Sequence, residues 1–459
     1  MASFTRRRAL ALGGALAGAA ALLPGCSSAP PADHAARRRA TSPPPPRPGR
    51  LFADTAAGLA VADLATGAVR ATYPGAVAEA RWSRLYQLTD GRLRTYDAGN
   101  GRLIADVTAP GEQIKAVSAA LVALGPPPGP RTRTTLTLIG ADRPRTLHLD
   151  GNIEPEAFSP DGTAMYVLDR LPPAAPDGYR VRAYDLTRER MGPLQTRDKR
   201  PVPAGQEEEM RGQGRQAVLD PAQNVLYTLY THQDSHLHTR DLVADRDLSP
   251  GVHAFVHVLH LDQRWAFCLD LPAPFGLGPA AAHTLALGEA GLYVFDASSG
   301  RVTLASTQDL TITRSALLGR AGGDGATGPP EQGAADGGTP EHAAAGHQAP
   351  GQETTGHEAS GRGVAGQGAA AGEAFAVAGG GRLYLAEGGR LLVCDGRTLV
   401  PQARWWLPGQ ARGLAYLNGE VLAGAGEQVL RLDPATGARR GALTLPGLRA
   451  LRHAESATG

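Results

Sequence analysis

Cysteine is scarce, with three in 459 residues, so no disulfide framework holds this chain together and its stability must come from packing. Aromatic residues amount to only 5%, and long stretches of helical apolar periodicity are missing, which excludes a helical bundle or coiled coil. Neither sign of charge is in excess: 46 Lys+Arg stand against 44 Asp+Glu, for a formal net charge of +2. A protein that grips phosphate backbones needs a clustered surplus of base, so nucleic acid is excluded as the main partner. Glycine and proline are abundant, at 59 and 36. After Arg50 the apolar residues fall in runs of about four to eight, bounded by Gly, Asp, Pro and Asn, which is the signature of many short strands. The chain reads as all-β.

Residues 1–25 read as a signal peptide. Arg6-Arg7-Arg8 precedes an apolar stretch from Ala9 to Leu23, shorter than the roughly 20 residues that span a bilayer stably. Leu23-Pro24-Gly25-Cys26 follows. Leu23 and Gly25 ahead of a Cys resemble the lipobox of bacterial lipoproteins, which implies that Cys26 carries a diacylglycerol and becomes the new N-terminus. Thr5 to Leu10, with Arg6 and Arg7, is similar to a twin-arginine export signal and departs from it at Ala9; a general secretory signal is the alternative. Residues 26–50 contain Pro43 to Pro46 and Pro48, a stiff, extended tether. The expected location is the extracytoplasmic face of the cell membrane, with the membrane as partner through the N-terminal lipid.

A strand ending in Asp, then a small-residue turn, then another strand recurs along the chain. It stands at Asp63, Asp97, Asp185, Asp296, Asp395 and Asp433, with weaker versions at Asp142 and Asp262. An Asp before such a turn accepts hydrogen bonds from backbone N–H groups two residues on, and a following Gly supplies the positive φ that closes it. About four strands separate successive copies, which predicts four-stranded antiparallel blades of a β-propeller. Counting Asp-turns gives eight blades, with seven open because the unit around Phe295 can be parsed in two ways. Leu448 to Leu451 reads as an orphan first strand and Leu51 begins a second, so strands from both termini close the ring. The pattern resembles YVTN and WD-repeat-like propellers of secreted actinobacterial lipoproteins. The predicted organisation is blades over 51–319, a disordered Gly/Ala/His-containing insertion over 320–373, the last blades and closure over 374–453, and a tail over 454–459. On this strand reading Cys268 and Cys394 lie two blades apart, too far for a disulfide.

No catalytic constellation, metal site or cofactor motif emerges. His342, His347 and His357 are scattered through the insertion, and Trp82, Trp265, Trp405 and Trp406 lack the regular spacing of quinone-dependent propeller dehydrogenases. Histidine concentrates between His232 and His260. There His253, Phe255, His257 and Leu259 alternate onto one strand face. With a two-residue turn at Gln263-Arg264, His257 faces Asp270, a pair that either fixes strand register or walls a ligand site together with His253. Glu207-Glu208-Glu209 reads as a solvated loop tip. The functional expectation is a binding or scaffold module for an envelope protein or ligand. The alternative is a propeller enzyme of lactonase-like or lyase-like type with its site at the channel mouth.

Overall fold

The computed structural model describes residues 49–110, 112–141, 143–203, 205–232, 253–318 and 372–456. Cys26, Arg6, Arg7, Leu23, Gly25, Asp142 and nearly all of the expected insertion lie outside the described residues. Among those described, 32 strands, numbered in chain order, form eight four-stranded antiparallel sheets. Seven sheets each use four consecutive strands. The remaining one joins β1 (Gly49–Thr55), β2 (Gly58–Asp63) and β3 (Val69–Tyr73) to β32 (Leu448–Ser456), so the two ends of the propeller meet in blade 1. This is the eight-bladed ring closed from both ends. β32 reaches Ser456, so Ala454 to Ser456, read from the sequence as tail, belong to the closing strand.

Blades 2 to 8 begin with β4 (Val77–Ala78), β8 (Gln113–Val117), β12 (Asn152–Phe158), β16 (Gln213–Asp220), β20 (His283–Gly288), β24 (Ala374–Gly379) and β28 (Ala411–Leu417). These first strands neighbour one another around the ring, with β32 completing the circle, and they line the central channel. Each blade buries both faces. In Arg382–Glu387 of blade 7, Leu383 and Leu385 pack with Tyr293 and Leu304 of blade 6, while Tyr384 and Ala386 pack with Val421 and Ala423 of blade 8. A two-residue period with apolar groups on both sides explains why such strands read as unbroken apolar runs.

The Asp-turns form as their chemistry requires. Asp63 Oδ1 accepts from the N–H groups of Ala65 and Thr66 at 2.9 and 3.0 Å, and Asp97, Asp185, Asp395 and Asp433 repeat the pattern. Each of these joins the third and fourth strands of its blade. Blade 6 differs: Asp296 caps the turn between its second and third strands, and Ser306 Oγ takes over the usual position by accepting from Gln308 and Asp309. That displacement is why the sequence around Phe295 parses in two ways. A second repeat fastens blade to blade. Tyr86, Tyr166, Tyr293 and Tyr384, all in second strands, donate their hydroxyls to turn carbonyls of the following blade, at Ser118, Leu261, Gly396 and Pro434. Cys268 and Cys394 are both buried, and neither forms a disulfide.

Candidate functional site at the loop-bearing end of the ring

The two ends of the ring differ. Connections between first and second strands, and between third and fourth, lie at one end and are short, the longest spanning 306–311 and 433–438. Among the described residues, 126–132, 172–177, 207–212 and 271–282 lie at the other end, whereas 194–200 folds over the short-turn end, where the Gln195 N–H donates to the Arg264 carbonyl and Arg197 to the carbonyls of Gln308 and Asp309. β1 begins at Gly49 and β32 ends at Ser456 on the short-turn end, where these two residues pair.

The histidine-rich segment forms β17 (Val225–Thr231), β18 (Ala254–His260) and β19 (Trp265–Asp270) of blade 5. The turn after β18 has four residues, Leu261 to Arg264, closed by the Arg264 N–H donating to the His260 carbonyl at 3.0 Å. Register therefore differs from the sequence expectation: His257 faces Cys268, and Asp270 faces Phe255. The proposed His257–Asp270 cross-strand pair does not form. A shift of two residues preserves the face, so His257 still points the same way as Phe255 and Leu259. It is buried, and burial pushes its imidazole down to about 4 against the opposing pull of Glu208. The Cys268 thiol donates to Glu208 Oε2 at 3.2 Å. His253 precedes the strand, and the His260 ring lies tilted against Trp265, 5.2 Å between ring centroids. His253 and His260 stand about 23 Å apart along an extended strand, so the histidines do not converge.

The acidic loop is not a solvated tip. Glu207 is largely buried and accepts from Arg182 Nε and Nη2 at 2.8 and 2.9 Å. Glu208 reaches Cys268, and Met210 exchanges backbone hydrogen bonds with Tyr179. The signal was the alternation of Arg180 and Arg182, which puts two guanidinium groups on one strand face in need of a carboxylate.

A second polar cluster at this end went unnoticed in the sequence. Glu154 and Glu156 sit on β12, and Arg170 lies at the loop-bearing end of β13 (Ala164–Leu171). Arg170 donates to Glu154 Oε2 through Nε at 2.9 Å and Nη2 at 2.6 Å, and Lys115 Nζ lies 3.6 Å from Oε1. Lys115, Arg131, Asn152, Glu154 and Arg170 line a narrow cleft between blades 3 and 4 with a cavity volume of only about 10 Å³. Glu156 is the extra residue of a bulge, and its Oε2 and the Tyr179 hydroxyl are buried without hydrogen-bond partners. Burial first, and then the neighbouring Glu154, push the Glu156 carboxyl up to about 7, with Arg170 opposing. Such a group takes up and releases a proton near neutrality. Among the described residues, no three His, Cys, Asp or Glu side chains gather as metal ligands.

By strand order and closure, this chain is an eight-bladed β-propeller. No family model matches it, and no curated protein does. Among solved structures it is similar to dihydro-heme d1 dehydrogenase NirN in complex with DHE, at 12% identity over 92% of this chain and 77% of that one, with a TM-score of 0.48. Apo AztD from Citrobacter koseri matches at 10% identity over 89% and 98% of the respective chains, with a TM-score of 0.49. BamB from Moraxella catarrhalis matches at 12% over 82% and 92%, with a TM-score of 0.37.

Proposed function

We propose that this chain is an exported lipoprotein, cut ahead of Cys26 and held by lipid on the extracytoplasmic face of the cell membrane, where the propeller serves as a binding module. The carrying observation is the difference between its two ends: β1 begins at Gly49 on the short-turn end, and the described connections 126–132, 172–177 and 271–282 lie at the other. A tether joined to the short-turn end leaves the loop-bearing end free for an envelope protein or ligand.

Two measurements test this. Cys26→Ser abolishes lipid labelling and releases the protein from the membrane fraction; retention there refutes the anchor. A photo-crosslinking residue at Leu277, on the loop-bearing end, captures an envelope partner, while one at Ala435, on the short-turn end, does not. Equal capture from both positions refutes the assignment of the binding end.

A further inference from the structure

Adjacent tryptophans on blade 7 point opposite ways. In β27 (Pro401–Trp406), the outermost strand of that blade, Trp405 packs against Tyr384, 6.0 Å between ring centroids, while Trp406 is 75% exposed. On blade 6 the outermost strand is β23 (Ile312–Leu317), and Leu317 is 68% exposed. Among the described residues these are the two most exposed large apolar side chains. They hold equivalent places: Leu317 pairs with Arg301, the first residue of β22 (Arg301–Ala305), and Trp406 pairs with Arg390, the first residue of β26 (Arg390–Asp395). The two therefore stand level on neighbouring blades, at the loop-bearing margin of the outer wall.

Behind them, two arginines flank one cleft. Arg314 pairs with Leu304 and Arg404 with Leu392, and both leucines belong to the single apolar cluster that fills the space between blades 6 and 7. Cross-strand partners share a face, so both arginines are carried on the walls of the same cleft. Both are exposed, and among the described residues neither meets a carboxylate. β23 and β27 themselves hold no acidic residue. The outermost strands of blades 2 and 3, β7 (Leu103–Thr108) and β11 (Arg145–Asp150), do hold them, and there Asp106 meets Arg92 and Asp150 meets Arg133. Arg390 is likewise held by Glu387, at 3.2 Å. The outer wall of blades 6 and 7 thus carries uncompensated positive charge two or three residues, about 7–10 Å, behind a level apolar margin.

We infer that the outer wall of blades 6 and 7 is a docking surface for anionic lipid, with Trp406 and Leu317 entering the interface and Arg314 and Arg404 meeting headgroup phosphates. A level pair of apolar tips fits a plane. An indole is at home between headgroups and acyl chains, and apolar groups of peripheral proteins reach about 5–10 Å into that boundary. Arginines set back by the same distance then lie at the depth of the phosphates, which their paired N–H donors match. This contact adds to the membrane anchor proposed above without depending on it, since all four side chains belong to the ring. It lays the ring on one side, with blades 2 and 3 and the 126–132 connection away from the lipid.

The test is sedimentation of the full-length Cys26→Ser protein with vesicles of phosphatidylcholine alone and of phosphatidylcholine with phosphatidylglycerol. Every arm carries the same N-terminal segment, so its own affinity for lipid cancels between variants, and the anchor and this surface can fail separately. The vesicles containing phosphatidylglycerol bind more tightly. Trp406→Ala weakens that binding about tenfold. Arg314→Gln with Arg404→Gln weakens it by about tenfold or more and abolishes the preference for phosphatidylglycerol. Leu103→Ser, on the outermost strand of blade 2, leaves it unchanged. All of these positions are exposed, and an unchanged urea midpoint shows that each variant keeps its fold. Equal binding to both kinds of vesicle, or indifference to Trp406→Ala and to the arginine pair, overturns the inference. So does a photo-crosslinking residue at position 406 that yields a protein adduct and no lipid adduct in intact cells, a result that assigns this wall to a protein partner.

Discussion

Replacing Glu156 with Gln removes a titration that the fold makes costly. The carboxyl titrates near 4.5 in the unfolded chain and is pushed up to about 7 in the ring, first by burial, then by Glu154. The folded state therefore binds more protons than the unfolded chain between these values. For an acid raised on folding, the contribution to stability is full below about pH 4.5, declines as pH rises, and is gone above about 7. At 1.36 kcal/mol per unit, the difference amounts to up to ~3 kcal/mol. The assay is urea unfolding of wild type and Glu156→Gln at pH 5 and pH 8. Groups titrating elsewhere cancel in the comparison, so the variant gains up to ~3 kcal/mol on wild type between the two pH values. Because burial is the larger cause, Glu154→Gln lowers the titration of Glu156 only in part. Parallel pH profiles for wild type and Glu156→Gln refute the reasoning.

His257 gives the opposite sign. Its imidazole is pushed down to about 4 from 6.5 by burial, so its contribution is full above pH 6.5 and is lost as pH falls toward 4; NMR of the ring finds it neutral at pH 6, and a midpoint near 6.5 refutes the burial argument. In blade 8, Arg431 donates to Glu420 at 2.8 and 3.0 Å with both residues buried. Glu420→Ala strands the guanidinium and costs about 3–5 kcal/mol in urea unfolding, whereas the double replacement Glu420→Leu with Arg431→Met is nearly neutral.

The repeat was legible because its chemistry is local. An Asp whose side chain caps the next two or three N–H groups specifies its own turn, closed at positive φ by Gly67, Gly101 and Gly437 in three cases and by Glu189 and Leu399 in two, so Asp63, Asp97, Asp185, Asp395 and Asp433 marked their blades without knowledge of the rest. What misled was also local. Asp296 performs the same Asx chemistry one hairpin early, and nothing short of the ring distinguishes the two positions. The register of β18 against β19 depended on turn length, and a four-residue turn that places Arg264 at φ 55 carries no glycine to announce it. Long-range partners were the least visible. Glu207 reads as solvated until Arg182 is seen beside it, and the four tyrosines that fasten a blade to the next read as ordinary core residues. The bulge that carries Glu156 was hidden for the same reason, since an extra residue in a strand is defined only by the strand it pairs with.

The described crossovers are pinned rather than loosely looped, which bears on the proposed binding at the loop-bearing end. In 194–212, Gln195 bridges to Trp265 and Lys199 lies over the Trp265 ring at the short-turn end, covering the outer edge of blade 5, and Met210 pairs with Tyr179 at the loop-bearing end. In 271–282, the Gly276 N–H donates to His283 Nε2 at 2.9 Å, and the other ring nitrogen meets the Pro279 carbonyl at 3.0 Å, which makes the buried His283 a neutral clamp with its proton on Nδ1. Gly276 has φ +85, and a Cβ there meets the His253 carbonyl at 2.1 Å, so any larger residue forces this crossover off the blade. Loops held this way lose little conformational freedom when a partner arrives. Histidine in this segment thus serves rigidity: His257 is buried within blade 5, and His283 holds its crossover against the blade.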